Sequence, residues 1–204
     1  MMTKRKSHAE RREEIADTAL SLAAEQGVGT VTTQAIADRM GVSQATIFRH
    51  FPNRDEVFRE AITQAKKRVF VRLHPIFEDK SSSGAERLER LIHAHLAVIA
   101  DNRGVPALLF SDRLHQNDPV LKEDVRNSIV NYALRVSGLL KEGVQDGSIK
   151  PDVDCEVMGQ AVVTMIQGLL LRWSLFDYGF DLKSQAEVIW ALVSPAVLPS
   201  SVKI

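Results

Sequence analysis

The stretch Val31–Phe51, VTTQAIADRMGVSQATIFRHF, decides the fold of this chain. It is predicted to form two short helices separated by a tight turn. Ile36, Ala37 and Met40 recur at helical spacing and give the first helix one apolar side. Gly41 follows directly, where a left-handed residue ends a helix at little steric cost.

A hydroxyl is expected to cap each of the two helices, Thr32 or Thr33 on the first and Ser43 on the second. Ile47 and Phe51 lie four residues apart and should both face inward. The other side chains of the second helix then cover its outer faces: Gln44, Ala45, Thr46, Phe48, Arg49 and His50. This layout is that of a helix-turn-helix, whose second helix enters the DNA major groove.

A helical hairpin inside an all-helical core is the alternative interpretation of the same pattern. Three features count against it. The second helix keeps polar side chains where a core hairpin would carry Leu or Ala, and the run from Phe48 to Arg54 gathers several donors near one helix end. A long helix that ends at Gly27 also precedes the motif, as a supporting first helix should.

The dense set of motif residues resembles the DNA-binding domain of the TetR family of bacterial transcriptional repressors, over residues 11 to 70. The resemblance is carried by Thr32-Thr33, Ile36-Ala37, Gly41-Val42-Ser43, Thr46-Ile47-Phe48-Arg49-His50-Phe51 and Asn53-Arg54-Asp55-Glu56. It implies an all-α fold with an N-terminal helix-turn-helix domain (residues 9–69, motif 32–51) and a helical effector-binding and dimerisation domain (residues 70–200). It also implies a homodimer on a palindromic double-stranded operator.

The resemblance assigns DNA contacts to residues of the motif. Thr33 and Gln34 should approach the backbone or a base, while Gln44, Ala45, Thr46 and Arg49 are the expected readers of base edges. The remaining expected contacts are Ser43, Phe48, His50 and Arg54. Phe48 stands where the family often has tyrosine, so it can pack but cannot donate a hydrogen bond to phosphate. His50 and Arg54, which is commonly lysine in the family, are expected to contact phosphates.

Composition neither supports nor excludes a nucleic-acid partner, because Lys+Arg and Asp+Glu are both 26 in 204 residues. Residues 1–54 include eight basic and six acidic side chains, which is a weak basic excess. The single cysteine, Cys155, excludes an intramolecular disulfide and is expected to be a packing residue. No signal peptide or span long enough for a bilayer is predicted, so we expect a cytoplasmic protein without a membrane partner.

Beyond the motif the pattern predicts helices only. Pro75 should kink or end a long fourth helix, Lys80–Gly84 is predicted to be a flexible linker, and Pro195 should stop the last helix. A helix over about Val153–Tyr178 is apolar nearly all round. With the last helix it is predicted to form a four-helix interface with a second subunit, the alternative being a deeply buried helix of a monomer.

An effector pocket, if present, is expected among the helices of the second domain. The candidate wall and anchor residues are Phe70, Phe77, His95, Phe110, Arg113, Tyr132, Met165, Gln167, Trp173 and Phe176. This mixture favours a small apolar or amphipathic effector, against the alternative that aromatic and Met side chains at helical spacing are more often plain core.

No catalytic motif, metal-ligand spacing or cofactor-binding loop is present in the sequence, so we expect no enzyme, metal or cofactor. The function predicted is that of a ligand-responsive repressor, released from its operator when the effector binds. Two alternatives stay open: an architectural or cell-cycle factor without an inducer, and a helical enzyme or ligand carrier with a vestigial motif.

Overall fold

The computed structural model describes residues 6–111 and 118–199, and within these ranges the chain forms helices and no strand, which confirms the predicted all-α class. The helices are α1 His8–Gln26, α2 Thr33–Met40, α3 Gln44–Phe48, α4 Arg54–Glu78, α5 Gly84–Ala100, α6 Gly104–Leu109, α7 Pro119–Gln145, α8 Cys155–Leu175 and α9 Gln185–Val197. A short 3₁₀ turn, Val28–Thr30, links α1 to α2.

The described residues divide into two compact units. The first contains residues 6–68 together with 102–111 and 118–121, and the second contains 69–101 and 122–199. The division falls within α4 and within α7, and it assigns the whole of α6 to the first unit.

The first unit is built on α1, whose buried side carries Ile15, Ala19 and Leu20. α6 packs against α1 at a point where Gly104 meets the backbone of Leu20 so closely that a Cβ would clash. Only glycine permits this approach, which is why a helix separated from α1 by nearly eighty residues of chain can join the first unit.

The second unit also depends on close helix crossings. Gly84 of α5 lies against the backbone of Gly143 of α7, and Gly159 of α8 lies against Ser137 of α7. Gly159 therefore allows a close helix crossing within its own chain.

Two prolines that were predicted to interrupt helices lie inside them. α4 continues through Pro75 to Glu78, and α9 continues through Pro195 to Val197. Each proline lies in the last turn of its helix, so it removes a single hydrogen bond that an exposed turn can replace with water. In α9, Lys150 also braces the end, because its Nζ donates to the Pro195 carbonyl at 2.8 Å.

The segment Lys80–Gly84, predicted to be a flexible linker, is a hydrogen-bonded turn within the second unit. The Asp79 carboxylate accepts from the Ser81 backbone N–H (2.9 Å), from the Ser82 hydroxyl (2.9 Å) and from Arg90 (2.6 Å). The Ser81 hydroxyl also donates to this carboxylate and contributes most to holding the pKa of Asp79 well below its usual range, and the other three bonds add to its effect. The polar side chains of this segment therefore form hydrogen bonds with Asp79, which give the turn a defined structure.

Candidate functional site

The helix-turn-helix motif is formed by α2, the Gly41 turn and α3. Thr32 caps α2 by accepting from the Ala35 N–H, and Gly41 adopts the left-handed conformation with φ 65°. Ile47 and Phe51 are both fully buried, as predicted. Because these two side chains fix the inner face of α3, the rest of its surface is open.

The structure leaves most of the predicted DNA-contact residues accessible. Gln34, Ser43, Ala45, Phe48 and Arg49 are exposed, and Thr33, Gln44, Thr46, His50 and Arg54 are partly exposed. All except Arg54 lie on α2, on α3 or in the residues next to α3, so they share one region of the first unit.

Hydrogen bonds between these side chains order the surface of α3. Gln44 Nε2 donates to Thr33 Oγ1 at 2.9 Å, which ties the first residue of α3 to α2. Arg49 Nη2 donates to Thr46 Oγ1 at 3.1 Å and makes no ion pair within the part of the chain that is described. Ser43 does not cap α3, contrary to prediction, because its hydroxyl lies 3.1 Å from Thr46 Oγ1 instead.

Phe48 and Arg54 have contrasting surroundings, since one side chain is exposed and the other is hydrogen-bonded to the backbone. The Phe48 ring is 49% exposed at the end of α3. The Arg54 guanidinium donates to the Val31 carbonyl at 2.9 Å and so braces the turn before α2 from the start of α4. Arg54 therefore has a structural role that its position in the motif did not reveal.

Two residues of α1 that sequence reasoning did not single out lie against the end of the motif. Arg12 donates to the His50 carbonyl (2.6 Å), pairs with Glu60 (2.6 Å) and lies 4.0 Å above the Phe51 ring centroid. The His8 ring lies 4.5 Å from the His50 ring, centroid to centroid. Both contacts span some forty residues of chain, so no local pattern could indicate them.

The surroundings of His50 are cationic. Burial lowers the pKa of His50, and the nearby His8, Arg49, Arg11 and Arg12 lower it further. The His50 imidazole is therefore neutral at pH 7 in the DNA-free protein.

In the second unit a polar pair lies between α5 and α7. His95 Nδ1 is 3.0 Å from the Tyr132 hydroxyl, and the Phe77 ring meets Tyr132 edge-on at 6.4 Å. Burial lowers the pKa of His95 to about 4 and raises that of Tyr132. Both side chains nevertheless keep some accessible surface.

The other predicted effector contacts do not all join this pair. Phe70 and Phe176 are 52% and 60% exposed, and Trp173 is buried with its indole N–H bonded to the Phe180 carbonyl. Met165 and Gln167 are partly buried on α8. Phe110 belongs to the first unit, and Arg113 lies outside the described residues.

Helices α8 and α9 pack together and present an apolar surface, which we call the α8/α9 face. Its large exposed members are Val157, Leu171, Leu175, Val188 and Leu192. Leu192 and Leu175 are 67% and 72% exposed. On α8 the positions 157, 164, 168, 171 and 175 are all exposed, which is the spacing of a coiled-coil seam.

No group of residues that could hold a metal ion occurs among the described residues. None of the described helices is long and apolar enough to cross a membrane.

Two family models match the chain. The model for bacterial regulatory proteins of the tetR family matches residues 15–61, and that for the tetracyclin repressor-like C-terminal domain matches residues 81–173. The fold and the motif define a helix-turn-helix transcriptional regulator, and regulators of this kind are not enzymes. The chain belongs to the TetR family, as its motif residues suggested.

Similar proteins are diverse in what they do. The nucleoid occlusion factor SlmA of Aliivibrio fischeri is 26% identical over 97% of this chain and 100% of its own length. The solved FadR regulator of Bacillus subtilis, in complex with stearoyl-CoA, is 23% identical with a TM-score of 0.73, covering 89% of this chain and 96% of that one. A regulator from Saccharomonospora viridis in complex with choline has a TM-score of 0.80 at 21% identity, covering 94% and 99%.

Proposed function

We propose that this regulator is a homodimeric repressor that binds a palindromic operator and is released by a small apolar or amphipathic effector. The observation that carries the proposal is the surface of α3, where a fully buried Ile47 and Phe51 leave bonding side chains exposed on the opposite faces. A hairpin inside a core would not keep them accessible.

Base recognition is assigned to residues of α3 and its immediate end. Arg49, exposed and without an ion pair in the described structure, suits the O6 and N7 acceptors of guanine, and Gln44 suits adenine. Ala45, Thr46 and the exposed Phe48 offer apolar contact to thymine methyl groups. The bond from Gln44 to Thr33 supports this role, because it fixes the Gln44 amide before DNA arrives.

Backbone contacts are assigned to the remaining residues of the motif: Thr33, Gln34, Ser43, His50 and Arg54. Their contribution is to set the register of α3 in the groove, not to read sequence. Since Arg54 already bonds to Val31, we expect it to act on DNA mainly by holding the turn before α2.

Dimerisation is assigned to the α8/α9 face. Val157, Leu171 and Leu175 on α8, with Val188 and Leu192 on α9, would meet their own copies across a two-fold axis. Two helices from each subunit give a four-helix interface. A dimer also doubles the few base contacts that one five-residue helix can make, which is why a palindrome is expected.

We assign the effector site to the surroundings of His95, Tyr132 and Phe77. One aromatic wall and one neutral polar pair suit a ligand that is largely apolar with a single hydrogen-bonding group. If the effector weakens DNA binding, it must bind the DNA-free form more tightly by the same factor.

Selection of bound duplexes from a random pool tests the proposal as a whole. Purified protein is expected to enrich a two-fold symmetric consensus, with half-sites about one helical turn apart. A titration with salt on the enriched duplex should lower the affinity steeply, since phosphates supply much of the binding free energy. Enrichment of no sequence, at low and at moderate salt, would contradict the repressor function.

The effector site is tested by Tyr132→Phe. Stearoyl-CoA, the ligand of the B. subtilis FadR structure, is a suitable first probe for release of the enriched duplex, followed by other amphipathic compounds. Loss of one ligand hydrogen bond, about 0.5–1.5 kcal/mol, should raise the concentration for half release by roughly two- to tenfold. Tyr178→Phe, which removes the chain's other phenolic hydroxyl, is the matched control. Equal release from both variants would remove Tyr132 from the site.

The likeness to a nucleoid occlusion factor over nearly the whole chain favours a second candidate, a DNA-binding factor that takes no inducer. Genome-wide occupancy separates the two functions. A few promoter sites are expected for the repressor, and many scattered sites would support the second candidate.

A further inference from the structure

The two histidines at the junction of α1 and α3 form a pair that the helix-turn-helix pattern does not include. His8 is the first residue of α1 and is exposed, whereas His50 follows α3 and is partly buried. Their rings lie 4.5 Å apart with an interplanar angle of 41°. Neither ring makes a hydrogen bond within the described residues, and the Nδ1 atom of His50 is buried without a partner.

Cations surround this pair. Arg11 and Arg12 approach from α1, and Arg49 approaches from the end of α3. The carboxylates nearby are already engaged, since Glu14 pairs with Arg11 at 2.8 Å and Glu60 pairs with Arg12 at 2.6 Å. The arginines that shift the pKa of His50 all lower it.

A phosphate diester has the chemistry that this arrangement lacks. It supplies a negative charge and acceptor oxygens, and DNA brings phosphates to the residues that flank a recognition helix. An opposite charge within about 4–6 Å raises the pKa of an imidazole, so a phosphate would reverse the effect of the neighbouring arginines.

We propose that His8 and His50 together form a proton-linked contact to a DNA backbone phosphate, so that the regulator takes up a proton when it binds DNA. This inference rests on the proposed DNA-binding function, and it adds His8 of α1 to the interface. Because the two rings lie 4.5 Å apart, one phosphate can approach both of them.

The direction of the pH dependence follows from linkage. The pair binds more protons in the complex than in the free protein, so DNA affinity rises as the pH falls. The lower limit of this rise is set by His50, whose pKa is lowered in the free protein by burial and by the neighbouring cations, and the upper limit is set by the effect of the phosphate. Between these limits the affinity changes up to about tenfold per pH unit for each proton taken up.

The test uses the full-length protein and a fluorescent duplex of about 30 base pairs at low salt, because phosphate contacts do not depend on sequence. Affinity is measured by anisotropy from about pH 8 to about pH 6, where histidines titrate. Wild type should bind more tightly as the pH falls. His8→Gln and the double variant with His50→Gln should bind with a much weaker pH dependence, since glutamine can bond to phosphate but does not titrate.

His93→Gln is the matched control, since it removes an imidazole from α5 in the second unit and should keep the wild-type pH dependence. An unchanged pH dependence in the histidine-pair variants would overturn the inference while leaving DNA binding intact. Absence of DNA binding by wild type across the whole range would overturn the proposed function and this inference together. If His50→Gln fails to fold, the His8→Gln variant still tests the inference, because His8 is exposed. Thermal melting checks that this variant folds.

Discussion

Arg49→Ala is expected to abolish selective binding to the operator while leaving the protein folded and dimeric. The side chain is exposed at the end of α3, its one described hydrogen bond goes to Thr46, and it balances no carboxylate in the described structure. A bidentate contact from arginine to guanine is worth about 1–3 kcal/mol, and a dimer loses it twice. The affinity for the operator should therefore fall by roughly 30-fold to 10⁴-fold.

The measurement compares the enriched duplex with a scrambled duplex of the same composition. If Arg49 reads a base, the variant should lose affinity for the enriched duplex and keep its affinity for the scrambled one. If Arg49 contacts only phosphate, both affinities should fall alike and the salt dependence should decrease by about two ions, one for each subunit. Arg126→Ala, an exposed arginine of α7 that pairs with Glu123, is the control. Retention of selectivity in Arg49→Ala would remove this residue from base recognition.

Leu192→Arg is expected to convert the dimer into a monomer. Leu192 is 67% exposed on α9 within the α8/α9 face, so the substitution leaves the packing of the single chain unchanged. In a symmetric interface it would remove two apolar contacts and bury two like charges at once. We expect a loss of about 3 kcal/mol or more, which is a weakening of dimerisation by roughly 100-fold or more.

Sedimentation across a range of protein concentrations measures this change, and operator affinity should fall with the loss of the dimer. The control is Leu134→Arg, which places the same charge at another exposed leucine, 60% accessible on α7 and outside the α8/α9 face. If Leu192→Arg stays dimeric and Leu134→Arg does not, the interface lies elsewhere than proposed. Equal thermal melting of the two variants would show that both fold.

The α8/α9 face shows how far the sequence of a helix can predict which of its sides are buried. The apolar excess of the α8 sequence indicated burial on more than one side, and exposed apolar residues do lie on α8 and α9. The sequence of α8 could not show which of its residues face away from the rest of the chain, because several rotations of an all-apolar helix are equally consistent with it. The crossing with Ser137 shows that Gly159 lies on the side that packs within the chain.

The sequence by itself determined those features whose causes are local. The limits of α1, the cap from Thr32, the left-handed turn at Gly41 and the inward direction of Ile47 and Phe51 depend on residues within one or two turns of each other. Caps and apolar periodicity act over such short distances, so a single sequence was enough to predict the helix-turn-helix.

Only the tertiary structure decided which distant residues meet. The assignment of α6 to the first unit depends on Gly104 reaching Leu20, and the ordered end of the motif depends on Arg12 and His8 reaching His50. The His95–Tyr132 pair likewise joins residues of different helices. These contacts depend on the packing of whole helices, and no short-range preference of the chain determines that packing.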